Sequence, residues 1–305
     1  MINTNQEWVT AKDASTSPAE KGYEVAVDLI QPWSVPIMKT TLPPDILQKM
    51  IEISDQLLAD KETESYGNEL VGEINKELYI EPKILEQAGV MGFFLEIVSQ
   101  FVMMCKCQQY PLDVDAIQQE LWMTEIIRTW IISQHPGEYN PIHIHSECKI
   151  STVMYLKVPK MLSSRKSYPG LPQLADACIT FVGNSSMDVE LSTPSITLAP
   201  RVGDFYIFGA LQQHLVYPFR CEEGQEDTER RSISFNASFQ SKTEFDHHTK
   251  FVLPVENLIK ENKLEEAYEM INSGPISPST KRRIIANIKR TNHNTALRES
   301  VHDLK

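Results

Sequence analysis

Three histidines, one arginine and one serine stand at spacings that chemistry can use. His143 and His145 flank Ile144 in NPIHIHSECKISTVMYLKVP. In an extended chain alternate side chains share a face, so these two imidazoles can share one metal ion. His214 follows in GDFYIFGALQQHLVYPF. A pair from one strand and a single ligand from a distant one can build a facial metal site, which leaves positions open for substrate and oxygen. About 16 residues later comes Arg230-Arg231-Ser232-Ile233-Ser234-Phe235-Asn236. Arg230 and Ser232 on one strand face can clamp a carboxylate, through a bidentate charged pair plus a hydroxyl. The other histidines stand apart. His247, His248, His293 and His302 lie in polar tail segments, and His135 precedes the turn pair Pro136-Gly137.

The elements that must position these residues are short and β-like. Runs at Leu121–Ser133, Ile142–His145, Ile150–Val158, Ala177–Val182, Asp188–Leu191, Ser195–Leu198, Asp204–Phe208, His214–Pro218 and Arg230–Phe239 are separated by Gly, Pro, Asn, Asp and Ser. With no helical pattern between them, they predict a sandwich or jelly roll rather than a doubly wound sheet. Helices flank this region. One is expected to start at Pro43-Pro44-Asp45, with Ile46, Met50, Ile53 and Leu57 at helical spacing. A second is expected from about Pro82 to Met104. After residue 250 Leu264, Ala267, Tyr268 and Ile271 share a face, and Gly274 is placed to end their helix. Ser277-Pro278 reads as a cap and first turn of the next. That helix carries Ile284, Ile285 and Ile288 opposite a basic face of Lys281, Arg282, Arg283, Lys289 and Arg290, which reads as solvated. Three segments follow: an arm and supporting helices over 1–118, a β core over 119–245, and a helical extension over 246–305.

Composition narrows the function classes. Twenty-nine basic and 41 acidic residues give a net charge of −12, which argues against a general phosphate-binding surface. Cys105, Cys107, Cys148, Cys178 and Cys221 are few, odd in number and scattered, so neither a disulfide framework nor a zinc ribbon is expected. No signal core opens the chain, and the longest apolar stretch, Phe93 to Met104, is too short to span a bilayer. These features predict a cytoplasmic protein with no membrane span.

The stretch from about 120 to 239 resembles the iron(II)/2-oxoglutarate-dependent oxygenase superfamily, nearest to the oxygenases of marine phages and bacteria related to prolyl hydroxylases. His143-Ile144-His145 leads into Tyr155-Leu156-Lys157-Val158-Pro159, as in that group. Gly203, Asp204 and Phe208 precede His214, and an R-x-S-x-x-F-N strand follows with Arg230, Ser232, Phe235 and Asn236. Pro36-Ile37 to Leu42-Pro43 and Leu70-Val71-Gly72-Glu73-Ile74 are similar too. The resemblance implies a double-stranded β-helix of cupin type, with His143, His145 and His214 as the catalytic metal ligands. It implies iron(II), 2-oxoglutarate as co-substrate and O2. The far carboxylate of 2-oxoglutarate would pair with Arg230, helped by Ser232 and Tyr155. Hydroxylation of a C–H bond on a peptidyl side chain or small metabolite would follow, with release of succinate and CO2. Thr152 stands where close relatives often carry a glycine, which would narrow the cavity beside Tyr155. Asn236, Gln134 and Asn140 are candidates for its mouth, although each also has a structural reading.

Two questions stay open at this level. Most of the superfamily has Asp or Glu as second ligand, and His145-Ser146-Glu147 also reads H-x-E, so His145 with Glu147 competes with His143 and His145. The same histidines would also serve a cupin-like metal protein without 2-oxoglutarate, while a plain β-sandwich module would bind no iron. The substrate class is a peptide or small molecule, and the C-terminal helices are candidates for a homodimer contact. Glu147→Gln separates the two ligand sets. Activity near wild type is expected from the three-histidine set, and loss of activity would favour Glu147.

Overall fold

The computed structural model describes residues 35–67, 70–160, 175–183, 194–221, 223–225, 227–286 and 288. Residues 1–34 of the expected arm, the strand Asp188–Leu191 and residues Lys289, Arg290, His293 and His302 lie outside them. The described residues, all from 35 onward, fall within one compact unit.

Among the described residues ten strands form two antiparallel sheets. They are β1 (Ile37–Thr41), β2 (Lys76–Tyr79), β3 (Trp122–Gln134), β4 (Asn140–His143), β5 (Ile150–Lys157), β6 (Ile179–Val182), β7 (Ser195–Leu198), β8 (Asp204–Gly209), β9 (His214–Val216) and β10 (Arg230–Ser241). The larger sheet has the order β1-β8-β5-β10-β3-β2, and the smaller β4-β9-β6-β7. This is the mainly β architecture with flanking helices that the motifs implied, a double-stranded β-helix. The sheet draws two strands, β1 and β2, from the segment expected to supply only an arm and helices. Both are edge strands of four or five residues, too short for alternation to announce them.

Alternation divides the larger sheet into two buried faces. Ile131, Met154, Ile207, Ile233 and Phe235 pack outward against α1 (Pro44–Ala59), α2 (Pro82–Gln87) and α3 (Met91–Gln109), through Ile46, Met50, Leu85, Phe94 and Val98. Val153, Tyr155, Tyr206 and Phe208 point the other way, toward Ile179, Phe181 and Val216 of the smaller sheet. A strand buried on both faces reads as continuous apolar sequence, which accounts for the run Val153-Met154-Tyr155-Leu156 in β5.

The single helix expected over 82–104 is two helices. The N–H of Gly89 donates to Glu86 O at 2.9 Å and that of Val90 to Leu85 O at 3.1 Å, closing α2 with a Schellman turn. Gly89 has φ +68°, which only a residue without Cβ adopts freely. A short helix, α4 (Val114–Gln119), then leads into β3. After β10 come α5 (Lys242–His247), a π turn (His248–Val252), α6 (Leu253–Lys260) and α7 (Leu264–Ser273). A last helix begins at 278, where Thr280 N donates to the Ser277 hydroxyl at 3.2 Å, the cap the sequence indicated. This extension has a small core of its own from Val252, Val255, Ala267, Ile271, Ile276, Ile284 and Ile288. Among the described residues no helix is long and apolar enough to cross a membrane.

Arg231, on the outward face of β10, ties the sheet to α1. Its Nε and Nη2 meet Glu229 at 2.8 and 2.7 Å, and its Nη1 reaches Ser54 Oγ at 2.9 Å and Asp55 at 2.5 Å. Glu229 also accepts from the Ser133 hydroxyl at 2.8 Å and from Lys157 at 3.2 Å. Burial alone would raise the Glu229 carboxyl. The donors from Arg231 and Ser133, with the Arg231 charge, overrule it and hold the carboxyl at about 2. A depressed folded value contributes stability above the unfolded value, lost as pH falls through the folded one. Glu229→Gln is therefore expected to lower unfolding free energy by about 2 kcal/mol at pH 7, with the deficit shrinking as pH falls from about 4 toward 2. Urea titrations across that range measure it.

Candidate metal centre and anion pocket

The site begins with a slipped ladder. β4 pairs with β9, with Asn140 opposite Val216 and His143 opposite His214, and the register shifts by one between them. Pro141 sits in that shift and has no N–H for a ladder bond. Its carbonyl is thereby free to accept from His143 Nδ1 at 2.7 Å. Two residues before His214, Gln212 O accepts in the same way from Nδ1 at 2.9 Å. Gln212 is itself held by Nε2 donation to Val182 O at 2.7 Å. When Nδ1 carries the proton, Nε2 keeps its lone pair and is the nitrogen able to bind a metal ion.

His145 lies just beyond β4 rather than inside it, as a run to residue 145 would have had it. Its backbone N–H donates to Ala210 O at 2.9 Å, which keeps it on the extended path. Its ring is 5.2 Å from that of His143 and 5.2 Å from that of His214, and the latter two are 4.2 Å apart. Trp130 stands 5.9 Å from the His145 ring, while Phe208 stands 4.8 Å from that of His214. Ile142 and Ile144, at alternate positions, are exposed.

One ligand atom from each histidine falls within 4.8 Å of the others. Three neighbouring ligands on one ion at about 2.1 Å stand about 3 Å apart, so small ring rotations complete such a site. Glu147, the competing ligand, is not in this group. Its backbone is left-handed at φ 61°, its side chain is 77% exposed, and it pairs with Arg128 at 3.3 Å.

Arg230 enters the same cavity from β10 and is 1% exposed. Nη1 donates to Gln134 Oε1 at 2.7 Å, and the guanidinium lies 4.8 Å from the Tyr155 ring centre. Gln134 is fixed in turn by donation to Glu138 O at 2.5 Å. Nε and Nη2, which form one edge of the guanidinium, have no hydrogen-bond partner among the described residues, nor does the Ser232 hydroxyl. The Tyr155 hydroxyl, raised by burial and lowered by the Arg230 guanidinium beside it, meets no other donor or acceptor among the described residues. Ser232 and Tyr155 are directly opposite each other on β10 and β5. A dry cation without a counter-ion is costly, and an anionic ligand on that edge would relieve the cost. The residues therefore fit a metal ion and a carboxylate together.

The cavity has an empty volume of about 660 Å³, part of it open to solvent, and both groups line it. Thr152 also borders it, but its hydroxyl both donates to Phe235 O and accepts from Phe235 N at 3.0 Å. Thr152 therefore replaces ladder bonds between β5 and β10. Asn140 lines the cavity, whereas Gln134 acts as the support of Arg230. Glu77 and Trp130 are among the lining residues that the sequence did not single out. The inward phase of β2 and β3 was the signal for both.

The fold and the clustered histidines define a double-stranded β-helix with a candidate metal centre. Residues 128–236, which contain all six candidate residues, match the family model described as "Putative 2OG-Fe(II) oxygenase". The resemblance to the iron(II)/2-oxoglutarate-dependent oxygenase superfamily is borne out over that segment, and iron(II), 2-oxoglutarate and O2 are the family's cofactors. No curated protein matches the chain. Similar solved structures include a Pseudomonas putida prolyl-4-hydroxylase, at 12% identity and TM-score 0.40, covering 67% of this chain and 93% of that one. An oxidoreductase of the 2OG-Fe(II) oxygenase family from Burkholderia pseudomallei has 13% identity and TM-score 0.39, covering 66% and 85%. HygX from Streptomyces hygroscopicus, with nickel and 2-oxoglutarate bound, has 8% identity and TM-score 0.35, covering 67% and 82%.

Burial lowers the basicity of all three imidazoles, with His145 at about 4 and His214 at about 3. Neighbouring His143 lowers the latter two further. Groups with lowered values stay neutral, and so able to bind metal, well below pH 6.5. Nickel(II) affinity is thus expected to change only a few-fold between pH 7.5 and 6. Three histidines with ordinary values near 6.5 would lose about 50-fold over that range. Calorimetric titration at the two pH values distinguishes these outcomes.

Proposed function

We propose that the chain is an iron(II)- and 2-oxoglutarate-dependent dioxygenase that hydroxylates a C–H bond of a peptidyl side chain or small metabolite. The observation that carries this reading is one cavity holding three neutral imidazoles and a buried guanidinium edge with no partner among the described residues. A metal site alone has no use for Arg230, and an anion pocket alone has no use for the histidines.

In this reading His143, His145 and His214 hold iron(II) through Nε2. The carbonyls of Pro141 and Gln212 keep two of the rings turned and singly protonated on Nδ1. Arg230 binds the far carboxylate of 2-oxoglutarate with its Nε/Nη2 edge, because Nη1 already serves Gln134. Ser232 donates its hydroxyl to the same carboxylate. Burial raises the Tyr155 hydroxyl, so it stays protonated and can donate too. Trp130, Phe208 and Val153 wall the centre with apolar surface and exclude water. When bound, iron(II) and 2-oxoglutarate supply the oxidising chemistry, consuming O2 and leaving succinate and CO2.

Arg230→Ala is expected to raise the KM for 2-oxoglutarate about 30- to 100-fold, the value of a charged bidentate contact, with nickel(II) affinity nearly unchanged. His214→Ala is expected to abolish iron-dependent release of labelled CO2 from 2-oxoglutarate. An Arg230 variant that behaves as wild type at low co-substrate would remove the anchor assignment. Metal binding without any co-substrate decarboxylation would favour a cupin-like protein that does not use 2-oxoglutarate.

A further inference from the structure

Glu77 lies in β2 directly opposite Ile132, which is opposite Ser232, which is opposite Tyr155. Directly paired residues of an antiparallel sheet point to the same face, so this row of four crosses the cavity floor. Glu77 closes the row two strands from Ser232, about 10 Å away. It sits beyond the anion pocket and one strand from Trp130, the ring that faces His145. The side chain lines the cavity and the residue is only 2% exposed. Neither of its carboxylate oxygens has a hydrogen-bond partner among the described residues.

A carboxyl kept only for packing would be paired, since burial without donors costs several kcal/mol and Gln or Leu would fill the space at less cost. Its neighbour Glu138 shows the paired case. One oxygen accepts from Asn75 N at 3.1 Å and Nδ2 at 2.5 Å, and the other from His135 N at 2.7 Å. Glu77 has none of this, and Glu138 adds a second negative charge beside it. Burial first, and Glu138 second, push the Glu77 carboxyl up to about 7. Gly67 packs beside it, and a Cβ there would make ordinary van der Waals contact with Glu77 Oε2 at 3.6 Å.

We infer that Glu77 is the substrate-recognising residue of this cavity, and that the substrate presents an organic cation, an ammonium or guanidinium group, to its carboxylate. This rests on the oxygenase reading for the word substrate, but the site itself is a carboxylate in search of N–H donors. A cation restores the charge pairing and donates to both oxygens at once. Arg230, beside the row and against the Tyr155 ring at its far end, takes the anionic co-substrate, and Glu77 takes the opposite charge at the near end. The reacting C–H bond would lie between the cation and the histidines. A purely apolar side chain leaves the carboxyl unsatisfied and binds worse.

The test is equilibrium binding to nickel(II)- and 2-oxoglutarate-loaded protein without oxygen. The probes are L-lysine against L-norleucine and L-arginine against L-citrulline, each as free amino acid and as N-acetyl amide. At least one cation is expected to bind about tenfold or more tightly than its neutral partner, and Glu77→Gln is expected to erase that preference. The free and capped forms separate a metabolite from a peptidyl source. Thermal unfolding of the same variant is a second readout, because removing an unpaired buried carboxyl should raise the midpoint. Equal binding of cations and neutral partners, no saturable binding of any cation, or a preference that survives Glu77→Gln would each overturn the assignment. So would a fall in the midpoint, which would mark Glu77 as structural. Failure of the oxygenase reading would appear separately, as no binding of 2-oxoglutarate in the titration without probes.

Discussion

The antiparallel pairing of β4 with β9 is the constraint on which the rest depends. It places His143 opposite His214, although some seventy positions of chain separate them. Side-chain direction has a period of two, so a slip of one residue would turn either imidazole out of the cavity. The bulge at Pro141 sets the register on one side of the pair, and the carbonyl it frees orients the ring of His143. One local irregularity thus supplies both position and tautomer. His145 then needs only to continue the extended path, which its hydrogen bond to Ala210 secures.

The same period of two lets β10 serve opposite purposes on its two faces. Arg230, Ser232 and Ser234 look into the cavity, where Arg230 and Ser232 are left short of partners. Arg231 looks outward, where it is saturated by Glu229, Asp55 and Ser54, while Ile233 and Phe235 join the packed core. The outer face holds the strand to α1 and β3, and that support lets the inner face carry uncompensated polar groups. Glu77 and Arg230 mark the two ends of this under-satisfied surface. Sites of this kind are where stability is given up for binding.

Much of this was legible in the sequence, for physical reasons that differ from element to element. The strand at 195–198 and the helix opening at Pro44 announced themselves through alternation and proline placement. His143, His145, His214, Arg230 and Ser232 were legible because alternation decides which side chains can converge, and the converging types were chemically suited. Other features depend on tertiary context. β1 and β2 take their conformation from the sheet they border, which four or five residues cannot reveal. The break at Gly89 looks like tolerated helix glycine until its φ is known. Glu147 had the right spacing for a ligand, but a left-handed backbone turns it to Arg128 and solvent. Glu77 carries no motif. Its meaning comes from what does not surround it, and composition cannot show that.

The central claim is that one cavity holds a metal on three imidazoles and a carboxylate on Arg230. Diffraction from crystals loaded with manganese(II) and 2-oxoglutarate, without oxygen, tests it most directly. The account predicts an anomalous peak bonded to Nε2 of His143, His145 and His214, with the far carboxylate of the co-substrate on Nε and Nη2 of Arg230. A metal peak that includes Glu147 in place of His143, or 2-oxoglutarate bound away from Arg230, would contradict it.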